Sequence, residues 1–493
     1  MSNKEKFQVK SVAIIGAGAA GAVTAAAFHA EKYYERIRVI ERRESAGGTW
    51  IYDADPSPAP PIQPGALPKD VDPPLTIPTN LPSTASPSQQ ERYSQTPIYN
   101  SLTTNVPDIA MSFSDRRFAY GPFAPHYIPR QYIENYFSSH KTDSFLVLGT
   151  TLEDLSQIPA TEPGGVNRWR LTLRRHDSAR NVDVWWEEEF DAVVLATGHY
   201  SVPYVPYVKG LASYIQTFPN RVVHSKNYRS PLPYTDRKVL VIGNSASGHD
   251  LATELTTTAS LPVYQSRRSP SRWDGPSPPP GIAWKPTISE FLPSGSILFS
   301  DGSLLTDIDT VIYCTGYQPS FPFWNVHANG REFYDYRAGR LINSYWHTFI
   351  WDFPTLGIVG LPRALTFRSF EYQAIALARL WAGRNSKGLP NLAKQEEWER
   401  ERAERTRREG KKFHDVPWGN GETHEWLGGL FEIAGLGTLK GEGMIPPALG
   451  ADLVWAIENL KKYPEPGKEV GKEGDSEDEW VLVEGGKDLL AYI

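Results

Sequence analysis

The feature that most constrains this chain is a glycine pattern that occurs twice, each time between a β-branched run and a helix-forming run. The first copy follows Val12, Ile14 and Ile15 and reads Gly16-Ala17-Gly18-Ala19-Ala20-Gly21; the segment Arg38-Val39-Ile40 then ends in Glu41, twenty residues after Gly21. In a strand–turn–helix unit the first glycine permits the tight turn, the second lets backbone approach a pyrophosphate at the helix N-terminus, and the third allows close helix–strand packing. The distal acid accepts hydrogen bonds from ribose hydroxyls. The second copy runs from Val239-Leu240-Val241-Ile242 into Gly243-Asn244-Ser245-Ala246-Ser247-Gly248, with His249-Asp250 in the helix that follows. Ser245 stands where the middle glycine belongs and is small enough for the same approach. Where an acid would mark an NAD site, the strand through Val263-Tyr264 ends in Gln265-Ser266-Arg267-Arg268. An arginine pairs with a 2′-phosphate that an acid would repel, so this end predicts NADPH, with Arg267 as the contact.

Two further buried-strand patterns end in a Gly turn, Asp191 to Thr197-Gly198 and Asp309 to Thr315-Gly316. The predicted fold is α/β with two Rossmann-like dinucleotide-binding domains, the first interrupted by the second. Residues 1–199 and 326–460 form the first, with a Pro-rich insertion at 54–90; residues 200–325 form the second; residues 461–493 are an acidic, flexible tail. At 493 residues the chain is long enough for such an arrangement.

Composition removes other classes. The net charge of −6 offers no basic excess for nucleic acid. Cys314 is the sole cysteine, which excludes an internal disulfide, a dithiol redox pair and a cysteine-based metal site, and no metal is expected. Lys4, Lys6 and Lys10 precede a nearly uncharged stretch from Ser11 to Ala30 that mimics a signal or short membrane segment. Its glycines mark a strand, turn and helix instead, so the expectation is a soluble, cytoplasmic protein without a stable membrane anchor. Eleven prolines between Pro56 and Pro87 predict an extended surface insertion rather than a core element. Between Lys394 and Lys412 the pairs Glu396/Arg400, Glu401/Arg405 and Glu404/Arg408 predict a solvated helix. From Tyr463 to Glu479 disorder is expected, up to a short apolar run at Trp480 to Val483.

Gly47-Gly48-Thr49-Trp50 follows Glu41, and Phe218, His224 and Tyr228 precede the second glycine pattern in the spacing FxGxxxHxxxY/F, with Asn220 in place of the glycine. With Tyr99-Asn-Ser-Leu102-Thr-Thr104-Asn105-Val106-Pro107, these residues make the chain resemble the flavin-containing monooxygenases, and its Pro-rich insert is similar to that of the soluble fungal members. The resemblance implies FAD and NADPH as cofactors. It also implies an oxygen atom passed from O2, through a C4a-hydroperoxyflavin, to a soft nitrogen or sulfur of a small molecule, as in the N,N-dimethylaniline monooxygenase type. Carried over by motif, flavin contacts fall on Gly16, Gly18, Gly21, Glu41, Gly48, Thr49, Trp50, Asn105 and Val106. Coenzyme contacts fall on Thr104, Asn105, Gly243, Ser245, Ser247, Gly248, His249, Asp250 and Arg267. Leu152 is a candidate for the adenine, and Gln373, in Glu371-Tyr372-Gln373-Ala374, for the flavin ring. Asn105 is the candidate catalytic residue, and His224 is taken as a structural group. A Baeyer–Villiger monooxygenase acting on ketones and a catalytically silent flavoprotein scaffold remain alternatives, and a homodimer is left open.

Overall fold

The computed structural model describes residues 9–55, 60–160, 165–271, 274–384, 386–438, 441–446 and 448–462. The acidic tail beyond Lys462, with its apolar run at Trp480 to Val483, lies outside the described residues. The first sheet is built on Ser11–Ile15, an apolar strand that pairs parallel with Arg36–Ile40 on one side and Ala192–Leu195 on the other. Leu146–Val147 and Leu356–Ile358 extend it in parallel, and the antiparallel strands Phe349–Ile350 and Ser344–Tyr345 complete seven. Parallel strands covered on both faces need unbroken apolar runs, which is what Val12 to Ile15 and Ala192 to Leu195 provide.

Helix Ala19–Ala30 is buried from Ala19 to Phe28 because small side chains let it lie between the sheet and helix Thr366–Ala382. Phe28 meets Trp381 edge-on at 5.7 Å, and Glu31 pairs with Arg379 at 3.2 Å, both fully buried. On the other face of the sheet a four-stranded antiparallel sheet, Ser83–Ala85, Val182–Phe190, Arg168–Asp177 and Thr150–Ile158, carries Leu155, Trp169, Leu171 and Leu173 into the core.

The second domain is a five-stranded, all-parallel sheet in the order Val222–His224, Thr310–Tyr313, Lys238–Ile242, Ser260–Ser266, Ile282–Lys285. It leaves and rejoins the first domain through one antiparallel pair, Val202–Pro203 with Tyr317–Gln318. Asn220 adopts φ 64°, the left-handed conformation for which the glycine of the pattern is used.

Two expectations change. Within the Pro-rich insertion Pro68–Val71 forms a short helix, and the Pro-free window Ser83–Ala85 adds a strand to the antiparallel sheet, opposite Asp183–Trp185; Asp183 also accepts from the Ser88 amide at 3.0 Å. The charged helix, Leu392–Glu409, is solvated on one face only. Two of its charges point inward: Glu399 pairs with Arg340, and Arg402 pairs with Glu422 while donating to the carbonyls of Phe413 and Asp415. Arg405 also turns to Glu422, so the expected Glu401/Arg405 rung does not form.

Candidate functional site: a cleft between two glycine turns

Both glycine turns open onto a single cleft of about 1990 Å³ between the domains. An ordinary small-ligand pocket holds roughly 300–1,000 Å³, so this one has room for two dinucleotides. The two turns are built alike. Gly16 has φ 108°, and a Cβ there would lie 2.6 Å from the Ala196 carbonyl oxygen; Gly243 has φ 114°, with the Cys314 oxygen at 2.7 Å. A Cβ on the third glycine would fall 1.9 Å from the Gly16 oxygen at Gly21, and 2.2 Å from the Gly243 oxygen at Gly248. Gly21 and Gly248 thus lie beneath their turns and act by letting the helix start close to the strand. Gly18 and Gly48 face each other, with a Cβ on Gly48 only 2.6 Å from the Gly18 Cα, so bare backbone N–H groups line the first turn. That cradle, which a side chain would fill, suits a pyrophosphate at a helix N-terminus.

Glu41 ends its strand at the cleft and is held there: Oε2 accepts from the Ala17 amide at 2.7 Å and Oε1 from the Arg43 amide at 2.8 Å. Thr49, Trp50 and Leu152 line the same region. Thr104 is buried and doubly tied to Ala124, donating its amide to the Ala124 carbonyl at 2.8 Å and accepting the Ala124 amide on Oγ1 at 3.0 Å. This anchor presents Asn105 and Val106 to the cleft. Among the described residues the Asn105 carboxamide has no hydrogen-bond partner, and the short helix Asp108–Met111 that follows has no side-chain cap. Asn105 is therefore not spent on capping the turn.

In the second domain Gly243, Ser245, Ser247 and Asp250 line the cleft, but His249 does not. Positions 247 and 250 share a helix face, whereas 249 turns away and borders a small cavity with Gln265, Asp274 and Trp284. Arg267 also departs from expectation. Its guanidinium lies 3.3 Å from the Trp284 ring centroid and pairs with Asp274 at 2.8 Å, outside the cleft. Arg268, the next residue past the strand end, faces the cleft and makes no ion pair among the described residues. Across from it stand Arg363 and Lys412; burial and the neighbouring Arg363 cation hold the Lys412 ammonium below its usual range.

Gln373 is fully buried and does not reach the cleft. Its Oε1 accepts from the Gly360 amide at 3.0 Å, and its Nε2 donates to Thr348 Oγ1 at 2.9 Å. Gly360, which does line the cleft, is gripped from the other side by His199, whose Nδ1 lies 3.2 Å from its carbonyl. Burial pushes the His199 imidazole down to about 4, so it is neutral, and its Nε2 is buried without a partner among the described residues. His224 is equally neutral, pushed to about 3 by burial. Its Nδ1 accepts the Lys226 amide and its Nε2 sits 3.1 Å from the Gly316 carbonyl, which pins the return linker and fits the structural role.

Sequence reasoning chose Arg267 over its neighbour Arg268, and did not single out His199, Lys412 or Lys462. Arg268 was visible beside Arg267; the others carry no local pattern. Among the described residues, no group of three or more His, Cys, Asp or Glu is placed to hold a metal, and no helix is long and apolar enough to cross a membrane.

Comparison with known proteins agrees with this architecture. A family model described as flavin-binding monooxygenase-like matches residues 87–273 and 281–424, and an NAD(P)-binding Rossmann-like domain matches residues 14–63. Flavin-containing monooxygenase iboF of Amanita muscaria is 30% identical over 77% of this chain and 80% of its own length. Flavin-containing monooxygenase FMO GS-OX-like 9 of Arabidopsis thaliana is 31% identical over 79% of each. The solved structure of S-allyl-L-cysteine S-oxygenase from Allium sativum superposes with a TM-score of 0.72 and 26% identity, covering 92% of both chains. Cyclohexanone monooxygenase, at 14% identity and a TM-score of 0.55 in its closed form, shares the fold.

Proposed function

This chain belongs to the family of flavin-binding monooxygenases, with FAD and NADPH as its cofactors, and from that premise we propose that it oxygenates a soft sulfur or nitrogen of a small molecule. The reading is carried by one observation: two glycine turns and the Asn105 carboxamide, unpaired among the described residues, line a single cleft. Sulfur is preferred because the S-oxygenase of Allium sativum is similar along nearly the whole chain. For a thioether the balance is one O2, one NADPH and one proton consumed, giving a sulfoxide, NADP⁺ and water.

When bound, reduced flavin supplies the activation of O2, and no side-chain nucleophile is needed. The first turn offers backbone N–H groups to the FAD pyrophosphate, and Glu41 accepts from the adenosine ribose. The second turn, with Ser245 and Ser247, holds the NADPH pyrophosphate; Arg268, Arg363 and Lys412 supply positive charge for the 2′-phosphate. Asn105 lines the cleft, and its amide would be free to donate to a nicotinamide or flavin bound beside it. Val106, Met111, Leu365 and Trp418 line that part of the cleft with apolar surface and exclude water. Cys314 is buried, and its thiol is pushed up to about 12, so it stays protonated and takes no part.

Oxygen uptake and NADPH consumption, measured with a thioether, N,N-dimethylaniline and a cyclic ketone in parallel, test the reading. Sulfoxide or N-oxide formed in step with NADPH supports it. Lactone formation from the ketone alone would transfer the assignment to Baeyer–Villiger chemistry.

A further inference from the structure

Asp250 poses a problem of charge. It belongs to the helix Ala246–Leu255 that follows the second glycine turn, and it lines the cleft. A phosphate seated at that helix N-terminus meets a carboxylate nearby, and like charges at short range oppose each other. The fold answers with two donors brought from far along the chain. The Tyr99 hydroxyl donates to Asp250 Oδ2, and Lys462 Nζ lies 3.1 Å from the same oxygen. Lys462 also donates to the Thr103 carbonyl at 3.3 Å, two residues before Asn105.

Lys462 follows the helix Ala451–Asn459, whose Leu453 and Ala456 pack on Ile109 and Ala110 just past Asn105. One ammonium group therefore touches both the phosphate-side helix of the second domain and the backbone that presents Asn105 in the first. The two side chains are only 15% and 16% exposed, so solvent screens this pair weakly.

We propose that Lys462 is a positioning residue that couples coenzyme binding to Asn105. It cancels the Asp250 charge beside the phosphate seat and pins the Thr103 to Asn105 backbone to the helix that holds the coenzyme. The inference rests on the second glycine turn being the NADP seat.

Calorimetric titration of the FAD-loaded protein with NADP⁺, beside peroxide released per NADPH consumed, tests it. Lys462→Met removes the ammonium from Asp250; NADP⁺ affinity falls about tenfold at low salt, the deficit shrinks in about 0.5 M salt, and peroxide release rises. Lys462→Arg restores both. Asp250→Asn combined with Lys462→Met recovers affinity but not coupling, because the Thr103 contact is still missing. Wild-type protein that fails to bind NADP⁺ overturns the reading of the turn and this proposal with it. Wild-type binding matched by Lys462→Met in affinity and peroxide yield overturns the proposal alone.

Discussion

Adjacent arginines at the end of one strand have opposite fates, and the difference is measurable. Arg267 is committed to Asp274 and stacked on Trp284, whereas Arg268 extends into the cleft. Arg268→Ala is expected to lower the preference for NADPH over NADH by about ten- to a hundredfold, since a charge-assisted bond contributes roughly 1.5–3 kcal/mol. Arg267→Ala keeps the coenzyme ratio and loses about 1–2 kcal/mol of stability instead. Steady-state kinetics with both coenzymes and urea unfolding of the two variants separate these outcomes. Asn105→Leu binds FAD but forms less product per NADPH consumed, as removing a positioned polar donor costs about 10²–10³ in rate where charge develops; wild-type coupling in that variant would return Asn105 to a turn residue. His224 makes a prediction about pH. Its folded pKa lies below the free value of about 6.5, so its contribution is full above pH 6.5 and is lost as pH falls toward about 3, at roughly 1.4 kcal/mol per unit. The melting gap between wild type and His224→Gln should therefore narrow from pH 8 to pH 5.

Among elements, the glycine helices are the parts whose geometry was most legible in the sequence. A turn, its helix and its strand are contiguous, so the constraint that keeps a Cβ out of Gly21 and Gly248 is local. Gly248→Ala forces a carbon to within 2.2 Å of the Gly243 oxygen, and the helix must draw back from its strand. The variant is expected to keep its flavin spectrum and lose NADP⁺ binding, while Gly21→Ala loses flavin on purification. Less legible were elements whose role is set by distant partners. The run of alternating charges in Leu392–Glu409 reads as a wet helix because Arg340 and Glu422, which take its inward charges, lie 59 and 20 residues away from Glu399 and Arg402. Ser83–Ala85 is hidden among prolines, and only pairing with the outer side of Asp183–Trp185 makes it a strand. Gln373 was expected at the flavin ring, but it is buried and touches the cleft lining only through Gly360.

For the whole molecule, the two-domain plan followed from the repeated motif, whereas the composition of the cleft did not. Lys412, His199 and Lys462 come from separate stretches and meet only after both domains are assembled. Coenzyme bound in such a cleft stabilises the assembly by mass action: NADP⁺ at a hundred times its Kd contributes about 2.7 kcal/mol. A thermal-shift series should show the melting temperature rising with NADP⁺ in wild type and unchanged in Gly248→Ala.

The second domain departs at Val202–Pro203 and returns at Tyr317–Gln318, and these two strands lie side by side. A module whose ends are neighbours can be exchanged without reopening the fold around it. Arg268 and the second turn thus move between relatives as one cassette, whereas Arg363 and Lys412 stay with the host sheet, so an exchanged cassette would meet the host's own share of the cations proposed to set coenzyme choice.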